Sequence, residues 1–270
     1  MRWKNFVRAG AMVAGLGAVY AGALGQVGVG VASADPVGAP ICSTAGRAIA
    51  GYHHGNLVVR GNAYVASGAT LRVRGNLVLA RGACLDAFSL GTVHVRRSVL
   101  VRDGATLALG CAPGANGPPP MAPCNFTTTD DTVGGNILAW HPATMFLTAV
   151  TVGRNVVSVG GGPGTQDVGK SFAVKGMKVR GSLVLYGWKG GWIGALRNNV
   201  GRDLVFSHNA GSRPGDSGAN DSSEVDGNTV GRNLVCYRNV PAAQFGDAPP
   251  PHANTVGRRA FGECRGLTTA

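Results

Sequence analysis

NTVGRNLVCYRN, residues 228–239, is the most informative segment of the sequence, because close copies of it recur along the chain. NNVGRDLVFSHN stands at residues 198–209, and NTVGRRAFGEC stands at residues 254–264. With weaker copies included, the repeated phrase starts at Thr132, Thr151, Lys178, Asn199, Thr229 and Thr255. Successive starts differ by 19, 27, 21, 30 and 26 residues, so the phrase is constant while the intervening text varies.

Within each copy, Val, Leu and Ile alternate with Arg, Ser and Asn, which is the two-residue period of a β-strand. The 44 glycines of the chain interrupt every candidate helix. A unit of one to three short strands cannot bury its own apolar face, but stacked units share a core. The repeat therefore predicts an all-β fold, a single-stranded parallel β-helix, right-handed, of about ten rungs spaced by about 4.8 Å. A β-sandwich is the alternative, although it does not explain the uneven recurrence of one phrase.

Three further phrases in the N-terminal half align without gaps: GNAYVASGATLRV at 61–73, GNLVLARGACLDA at 75–87 and RSVLVRDGATLAL at 97–109. We interpret them as three equivalent units. A related TVHV begins at Thr92, 40 residues before Thr132, which is the length of two short repeats. This distance predicts one additional rung between them.

The residue types within the phrase have structural roles. Its glycines, such as Gly153 and Gly231, suit close backbone approaches. Asn136, Asn155, Asn233 and Asp203 are expected to stack at one corner and to form hydrogen bonds along the stack. Thr132, Thr151, Thr229 and Thr255 are equivalent, interrupted by Lys178 and Asn199, and β-branching is the simplest reason for them.

The first 34 residues have the pattern of a signal peptide. Arg2, Lys4 and Arg8 precede an apolar segment, and Ala32-Ser33-Ala34 supplies a cleavage site. An uncleaved anchor is the alternative, and no second apolar run of membrane-spanning length follows. We expect a secreted or cell-envelope protein with one domain at 35–270. Corner-loop insertions are predicted at about 112–130, 160–176, 186–197, 210–227 and 240–253.

All six cysteines lie after the signal segment, and an even number in an exported chain predicts three disulfides. Six cysteines permit 15 pairings, and the sequence alone does not choose among them. The pairing we favour is Cys111 with Cys124, Cys236 with Cys264 and, by elimination, Cys42 with Cys84.

NTVGRNLVCYRN followed by NTVGRRAFGEC resembles a C-terminal element of secreted actinobacterial proteins in which NTVGGNLxCxGN and NTVGGNxxGxC occur in tandem. The resemblance covers about a tenth of the chain as counted on these motifs. It implies export, a β-solenoid and a cysteine pair, but no activity. Arg232 and Arg258 replace the second glycine of the motif, and Arg259 replaces an asparagine, which weakens the expected ladder at the last rung. The GATL phrases are similar to those of polymer-forming bactofilin-type solenoids.

Charge indicates the class of partner. Without residues 1–34 the net charge falls from +12 to +9, and most basic residues are arginine. This excess favours anionic cell-wall or extracellular polysaccharide, whereas export makes nucleic acid an unexpected partner. The candidate ligand-binding residues are Arg202, Arg232 and Arg258 in the repeats and Trp188, Lys189 and Trp192 in YGWKGGWIG. Aromatic rings stack on sugars and attract cations. The favoured alternative for Trp188 and Trp192 is an inserted loop that folds both tryptophans over the solenoid.

An enzyme of the β-helix class needs several carboxylates on neighbouring rungs. Asp86 and Asp203 lie within strand phrases but on distant rungs, so no catalytic residue is assigned. Asp216, Asp221, Glu224 and Asp226 form the densest acidic stretch and could hold Ca²⁺, although a solvated insertion explains them as well. No other cofactor is indicated.

These observations lead to three functional hypotheses. The first is a secreted, non-enzymatic solenoid that binds anionic polymers or has a structural role at the cell surface. The second is a polysaccharide lyase or glycosidase acting on an acidic polysaccharide. The third is end-to-end self-association through the exposed backbone of uncapped solenoid ends.

Overall fold

The computed structural model describes residue 42 and residues 46–66, 68–88, 91–110, 131–162, 171–211, 222–245 and 252–269. Their strands form three parallel sheets, here named A, B and C, of eight, nine and nine strands, and one two-stranded sheet D. A single 3₁₀ helix, Glu263–Leu267, ends the described part of the chain. The prediction of an all-β parallel β-helix is confirmed.

Sheet A comprises β1 (Arg47–Ala48), β4 (Asn62–Tyr64), β7 (Cys84–Asp86), β10 (Thr106–Gly110), β13 (Thr144–Thr148), β16 (Ser171–Lys175), β20 (Trp192–Leu196) and β24 (Ser223–Asp226). Sheet B comprises β2 (Gly51–His53), β5 (Thr70–Val73), β8 (Thr92–Val95), β11 (Thr132–Val133), β14 (Thr151–Val152), β17 (Lys178–Val179), β21 (Asn199–Val200), β25 (Thr229–Val230) and β27 (Thr255–Val256). Sheet C comprises β3 (Leu57–Val59), β6 (Leu77–Leu79), β9 (Val99–Val101), β12 (Ile137–Trp140), β15 (Val156–Val159), β18 (Leu183–Tyr186), β22 (Leu204–Ser207), β26 (Asn233–Tyr237) and β28 (Arg259–Gly262). Sheet D comprises β19 (Lys189–Gly190) and β23 (Ala210–Gly211).

The chain visits sheets A, B and C in turn, and each strand pairs with the strand one turn earlier. Sheets B and C therefore define nine rungs, numbered here from β2 and β3. The rung expected between Thr92 and Thr132 is not present, because β8 pairs directly with β11 and His94 stands opposite Thr132. The 40 residues between them are one turn with an insertion.

The inward side chains of the three sheets form one continuous apolar core. In sheet B, Val73, Val95, Val133 and Val152 stack on consecutive rungs, and all are buried. Each apolar side chain is covered by its neighbours above and below, so a short strand that could not bury a core alone becomes stable in the stack.

Four of the predicted corner loops require correction. Segment 160–176 contains β16, segment 186–197 contains β19 and β20, and segment 210–227 contains β23 and β24. Segment 240–253 contributes single bridges at Val240 and Gln244. Glycine and tryptophan interrupt the apolar alternation at β19, β20 and β23, and β24 (SEVD) has a single apolar residue. Neither these strands nor β16 (SFAVK) carry the repeated phrase. Segment 112–130 lies outside the described residues.

The disulfides Cys42–Cys84 and Cys236–Cys264 are present as predicted, whereas Cys111 and Cys124 lie outside the described residues. Cys236–Cys264 fastens the 3₁₀ helix to β26, and Leu267 of that helix packs in the core. This helix covers core side chains at the C-terminal end. Arg259 lies on the edge strand β28, where a charged side chain disfavours pairing with another sheet.

Candidate functional site

The corner between sheets B and C has the same construction in every rung. Two residues make the turn, and their backbone amides donate to carbonyl oxygens of the rung before, as from Arg232 to Arg202 at 2.9 Å. From rung 1 to rung 9 the pairs are His54-Gly55, Arg74-Gly75, Arg96-Arg97, Gly134-Gly135, Gly153-Arg154, Arg180-Gly181, Gly201-Arg202, Gly231-Arg232 and Gly257-Arg258.

Glycine suits this corner because the preceding rung lies close, and eight of the nine corners contain at least one; rung 3, with Arg96-Arg97, is the exception. A Cβ added to Gly153 would stand 2.3 Å from the carbonyl oxygen of Gly134, and one added to Gly181 would stand 2.6 Å from that of Arg154. Either position can hold the glycine, and in most rungs only one does. The other position is then open to a side chain of any length.

Arginine occupies that open position in every single-glycine corner from rung 2 to rung 9. Rung 3 carries two arginines and rung 4 carries none. We name the resulting row the arginine ridge; its members are Arg74, Arg96, Arg97, Arg154, Arg180, Arg202, Arg232 and Arg258, all of which are exposed. Among the described residues, none of them forms an ion pair with a carboxylate.

A ladder of polar side chains holds the ridge in place. Asn155 donates from both its backbone amide and its Nδ2 to Oδ1 of Asn136 at 3.1 Å, and Asn233 donates in the same way to Asp203. The predicted corner ladder is therefore confirmed. Because the ladder joins successive rungs, the backbone positions that carry the arginines repeat with the rung spacing of about 4.8 Å, with a gap at rung 4.

The ridge borders a shallow groove on the outer face of sheet B. Glycines 134 and 153 leave space between Arg74 and Arg96 on one side and Arg180 on the other, giving a volume of about 460 Å³. Its floor includes Tyr52, His94, Thr132 and Thr151. His94 Nδ1 and Thr132 Oγ1 are hydrogen-bonded at 2.9 Å. The groove presents cations, hydroxyl groups and one aromatic ring, a set suited to an anionic, hydroxyl-rich ligand.

The threonine row is equivalent in register, as predicted. Thr132 stands opposite Thr151, and Thr229 stands opposite Thr255, with Lys178 and Asn199 between the two pairs. Tyr52, Arg72 and His94 continue the row through rungs 1 to 3. The row therefore changes from aromatic and basic residues at one end to small hydroxyl residues at the other.

The structure divides the predicted ligand-binding residues into two groups. Arg202, Arg232 and Arg258 stand on three successive rungs of the ridge. Trp188 is fully buried in the core, and its Nε1 donates to Ser158 Oγ at 2.8 Å. An indole in that position cannot stack on a sugar, so the predicted tryptophan platform is corrected.

Trp192 is held on sheet A, with 9% of its surface exposed. Its Nε1 donates to Glu224 at 2.6 Å, and Lys175 Nζ lies 4.6 Å from its ring centroid. Burial lowers the pKa of Lys175, an effect that Glu224 opposes and Arg197 reinforces. Lys189 is exposed on β19 and joins neither tryptophan in a shared site.

Two of the four predicted calcium ligands lie in the described part of the chain. Asp216 and Asp221 lie outside the described residues, and Glu224 and Asp226 are buried in β24. Glu224 accepts from Trp192, and Asp226 accepts from the backbone amide of His252 at 2.8 Å. Within the described ranges, no group of three or more His, Cys, Asp or Glu side chains is arranged to hold a metal ion.

The described carboxylates are dispersed over the solenoid. Asp86, Asp131, Glu224 and Asp226 are buried. Asp103, Asp203 and Glu263 are partly exposed on rungs 3, 7 and 9, so no two of these three flank one sugar bond.

Five arginines of the ridge were not predicted as ligand-binding residues from the sequence: Arg74, Arg96, Arg97, Arg154 and Arg180. The signal that could have revealed them is the exchange of order between TVGR and KVRG, in which glycine and arginine swap corner positions. Only the register of the stacked strands shows that both orders place the arginine at the corner between sheets B and C.

No protein-family model, curated protein or solved structure has a significant match to this chain. Across the residues that the structure describes, no helix is long and apolar enough to cross a membrane.

Proposed function

We propose that this chain is a secreted, non-enzymatic β-solenoid that binds anionic polymers at the cell envelope or outside the cell. The arginine ridge is the observation that carries the proposal. Its guanidinium groups are exposed, lack ion pairs within the described structure and repeat once per rung over most of the solenoid.

Electrostatics favours a polymer over a small anion. Like charges on neighbouring rungs repel each other, and an anionic chain lying along the ridge would relieve that repulsion at several rungs together. Each exposed ion pair contributes little by itself, about 0.2–1 kcal/mol, so useful affinity needs many contacts in line. Guanidinium groups also bind carboxylate, sulfate and phosphate oxygens in a bidentate manner.

Secretion is supported by the pattern of residues 1–34 and by two disulfides, which persist in oxidising compartments. This setting favours acidic envelope or extracellular polysaccharide as the polymer.

The test compares two triple variants of equal charge. One changes Arg202, Arg232 and Arg258 to Gln, which removes three neighbouring ridge cations. The control changes Arg47, Lys189 and Arg265, which are exposed, form no ion pair among the described residues and lie away from the ridge, to Gln. Binding to polygalacturonate and to inorganic polyphosphate is measured by calorimetry over a range of salt concentrations.

We expect the ridge variant to bind both polymers about tenfold more weakly, with a shallower dependence of affinity on salt, and the control to change by less than about threefold. Equal losses in the two variants would show that net charge alone attracts the polymer. Unchanged binding by the ridge variant would remove the basis of the proposal.

A further inference from the structure

The outer face of sheet C carries two straight rows of side chains along the solenoid. The row nearer the arginine ridge is apolar on all nine rungs and partly buried: Val58, Val78, Leu100, Leu138, Val157, Val184, Val205, Val235 and Phe261. Two residues further along each strand, the second row runs Arg60, Ala80, Arg102, Trp140, Val159, Tyr186, Ser207 and Tyr237.

The second row has a regular alternation in its C-terminal half. Trp140, Tyr186 and Tyr237 occupy rungs 4, 6 and 8, and they are 44%, 40% and 44% exposed. The smaller residues Val159 and Ser207 stand on the rungs between them. Exposed rings therefore recur about every 9.6 Å, which is two rungs.

The charges around these rows are mainly positive. Arg60 and Arg102 are exposed and continue the line of the aromatic row into rungs 1 and 3. His141 and Arg238 directly follow Trp140 and Tyr237 in the chain. The described acidic groups at this edge have partners, because Arg81 donates to Asp103 at 3.3 Å and Asn239 donates to Glu263 at 2.7 Å. A ligand along this face thus meets rings, aliphatic groups and cations.

We propose that an extended, unbranched acidic glycan binds along this second row, with alternate sugar rings stacked on Trp140, Tyr186 and Tyr237. The inference rests on the proposed function and names both the class of polymer and a second surface for it. A chain with two-fold symmetry turns the same face of the sugar towards the protein on every second ring, which matches aromatic side chains on every second rung. Its carboxylates reach Arg102 and Arg60 beyond the last stacked ring.

An acidic glycan differs from other anionic ligands in having sugar rings that can stack on the aromatic row. Polyphosphate has no ring to stack and would gain nothing from the aromatic row. An anionic lipid surface would use the aliphatic row but has no reason to require a two-rung period. A tenfold effect corresponds to about 1.4 kcal/mol, which the three stacked rings would share between them.

Two variants test the inference. The first changes Trp140, Tyr186 and Tyr237 to Ser. The second exchanges two neighbouring residues of the row, Val159→Tyr with Tyr186→Val, which keeps the composition and breaks the alternation. Tyr64→Ser on sheet A, where the ring is partly exposed and lies in neither proposed surface, is the control for loss of an aromatic ring. Folding is checked by circular dichroism, and the probes are polygalacturonate oligomers, polyphosphate, oligothymidylate and phosphatidylglycerol vesicles.

We expect the triple variant to bind polygalacturonate oligomers about tenfold more weakly and the exchanged variant to lose part of the same affinity, while both retain the affinity of the parent for polyphosphate. Equal polygalacturonate binding by parent and exchanged variant would overturn the two-rung match. If the triple variant loses vesicle or oligothymidylate binding instead, the face has a different occupant and the inference is wrong. If the parent binds polyphosphate but not polygalacturonate, the glycan inference fails and the proposed function stands. If it binds neither, both fail.

Discussion

The backbone amide of Gly181 donates to the carbonyl oxygen of Arg154 at 2.7 Å, which places the glycine of one rung against the arginine of the rung before it. One rung later the order reverses, because Arg202 follows Gly201 at the same corner. The corner thus separates two roles. Glycine permits the close approach of successive rungs, and arginine uses the position where a side chain meets only solvent.

This separation predicts opposite effects for two adjacent residues. In Gly231→Ala the new Cβ would stand 2.4 Å from the carbonyl oxygen of Gly201, so we expect a loss of about 1–3 kcal/mol in the free energy of unfolding. Arg232→Ala should change stability by less than about 0.5 kcal/mol while weakening polyanion binding. Urea denaturation followed by circular dichroism measures both variants. Equal stability of the two would show that rungs adjust easily at this corner.

A second prediction concerns Trp188, which lies in the core rather than on the surface. Trp188→Ala should cost about 3–5 kcal/mol of stability, because it removes a large buried ring and its hydrogen bond to Ser158. Trp188→Phe should cost less, since most of the apolar volume remains. Polymer affinity of the Phe variant, measured where it is fully folded, should equal that of the parent. A selective loss of affinity without a loss of stability would return Trp188 to the binding surface.

A second ladder, formed by the buried side chains of Asn198, Asn228 and Asn254, joins the rungs between sheets A and B. It should contribute more to stability than the half-buried ladder at the corner between sheets B and C. Asn228 Oδ1 accepts from the amide and Nδ2 of Asn198, and Asn228 Nδ2 donates to the carbonyl of Ala195 and to Asn254 Oδ1. Asn228→Ala leaves several buried polar groups without partners and should cost about 3 kcal/mol. Asn155→Ala, in the half-buried corner ladder, should cost about 1 kcal/mol because water can replace the lost bonds. Thermal melting of the two variants measures both losses. A larger loss of stability in Asn155→Ala than in Asn228→Ala would contradict the prediction.

His53 predicts a pH dependence of stability. It occupies the inward row of sheet B, where rungs 2 to 9 have valine. Burial lowers its pKa below the ordinary value of 6.5, an effect that its hydrogen bond to the backbone of Ala50 partly opposes. The unfolded chain therefore takes up the proton more readily, so stability should fall as pH decreases through 6.5.

The measurement for this prediction is the melting temperature of the parent and of His53→Val at pH 8 and pH 5. The variant should melt at a higher temperature than the parent, with a larger difference at pH 5. A difference that is the same at both pH values would exclude His53 as the cause of the pH dependence.

The alignment of the three N-terminal phrases as equivalent units was wrong for the first of them. The phrase at 61–73 lies on β4 and β5 in sheets A and B, whereas the phrases at 75–87 and 97–109 lie in sheets C and A. The true counterpart of Leu77 is Leu57, with which it pairs in register. The confusion has a physical reason: strands of all three sheets need the same alternation of apolar and polar residues, and turns of all three corners use glycine, so letters alone do not identify the sheet.

Only some residues of the two candidate binding surfaces could be predicted from the sequence. Arg202, Arg232 and Arg258 could be recognised because they belong to well-preserved copies of the phrase. Trp140, Tyr186 and Tyr237 stand at different distances along the chain, 46 and 51 residues apart, and nothing in their local sequence relates them. The strand register brings them onto one row because loops of different length leave the stacked strands in place.

Local and repeated requirements made part of this fold predictable. Alternation of apolar and polar residues defines a strand, and a side chain that must bond to its own copy recurs in every copy. The parallel β-solenoid and the corner ladder of Asn136, Asn155, Asp203 and Asn233 therefore follow from the repeats. The number of rungs, the burial of Trp188, the choice among the possible cysteine pairings and the alignment of the arginine ridge and the aromatic row depend instead on which strands stack on which. That register arises from the packing of the whole solenoid, so it is known only from the structure.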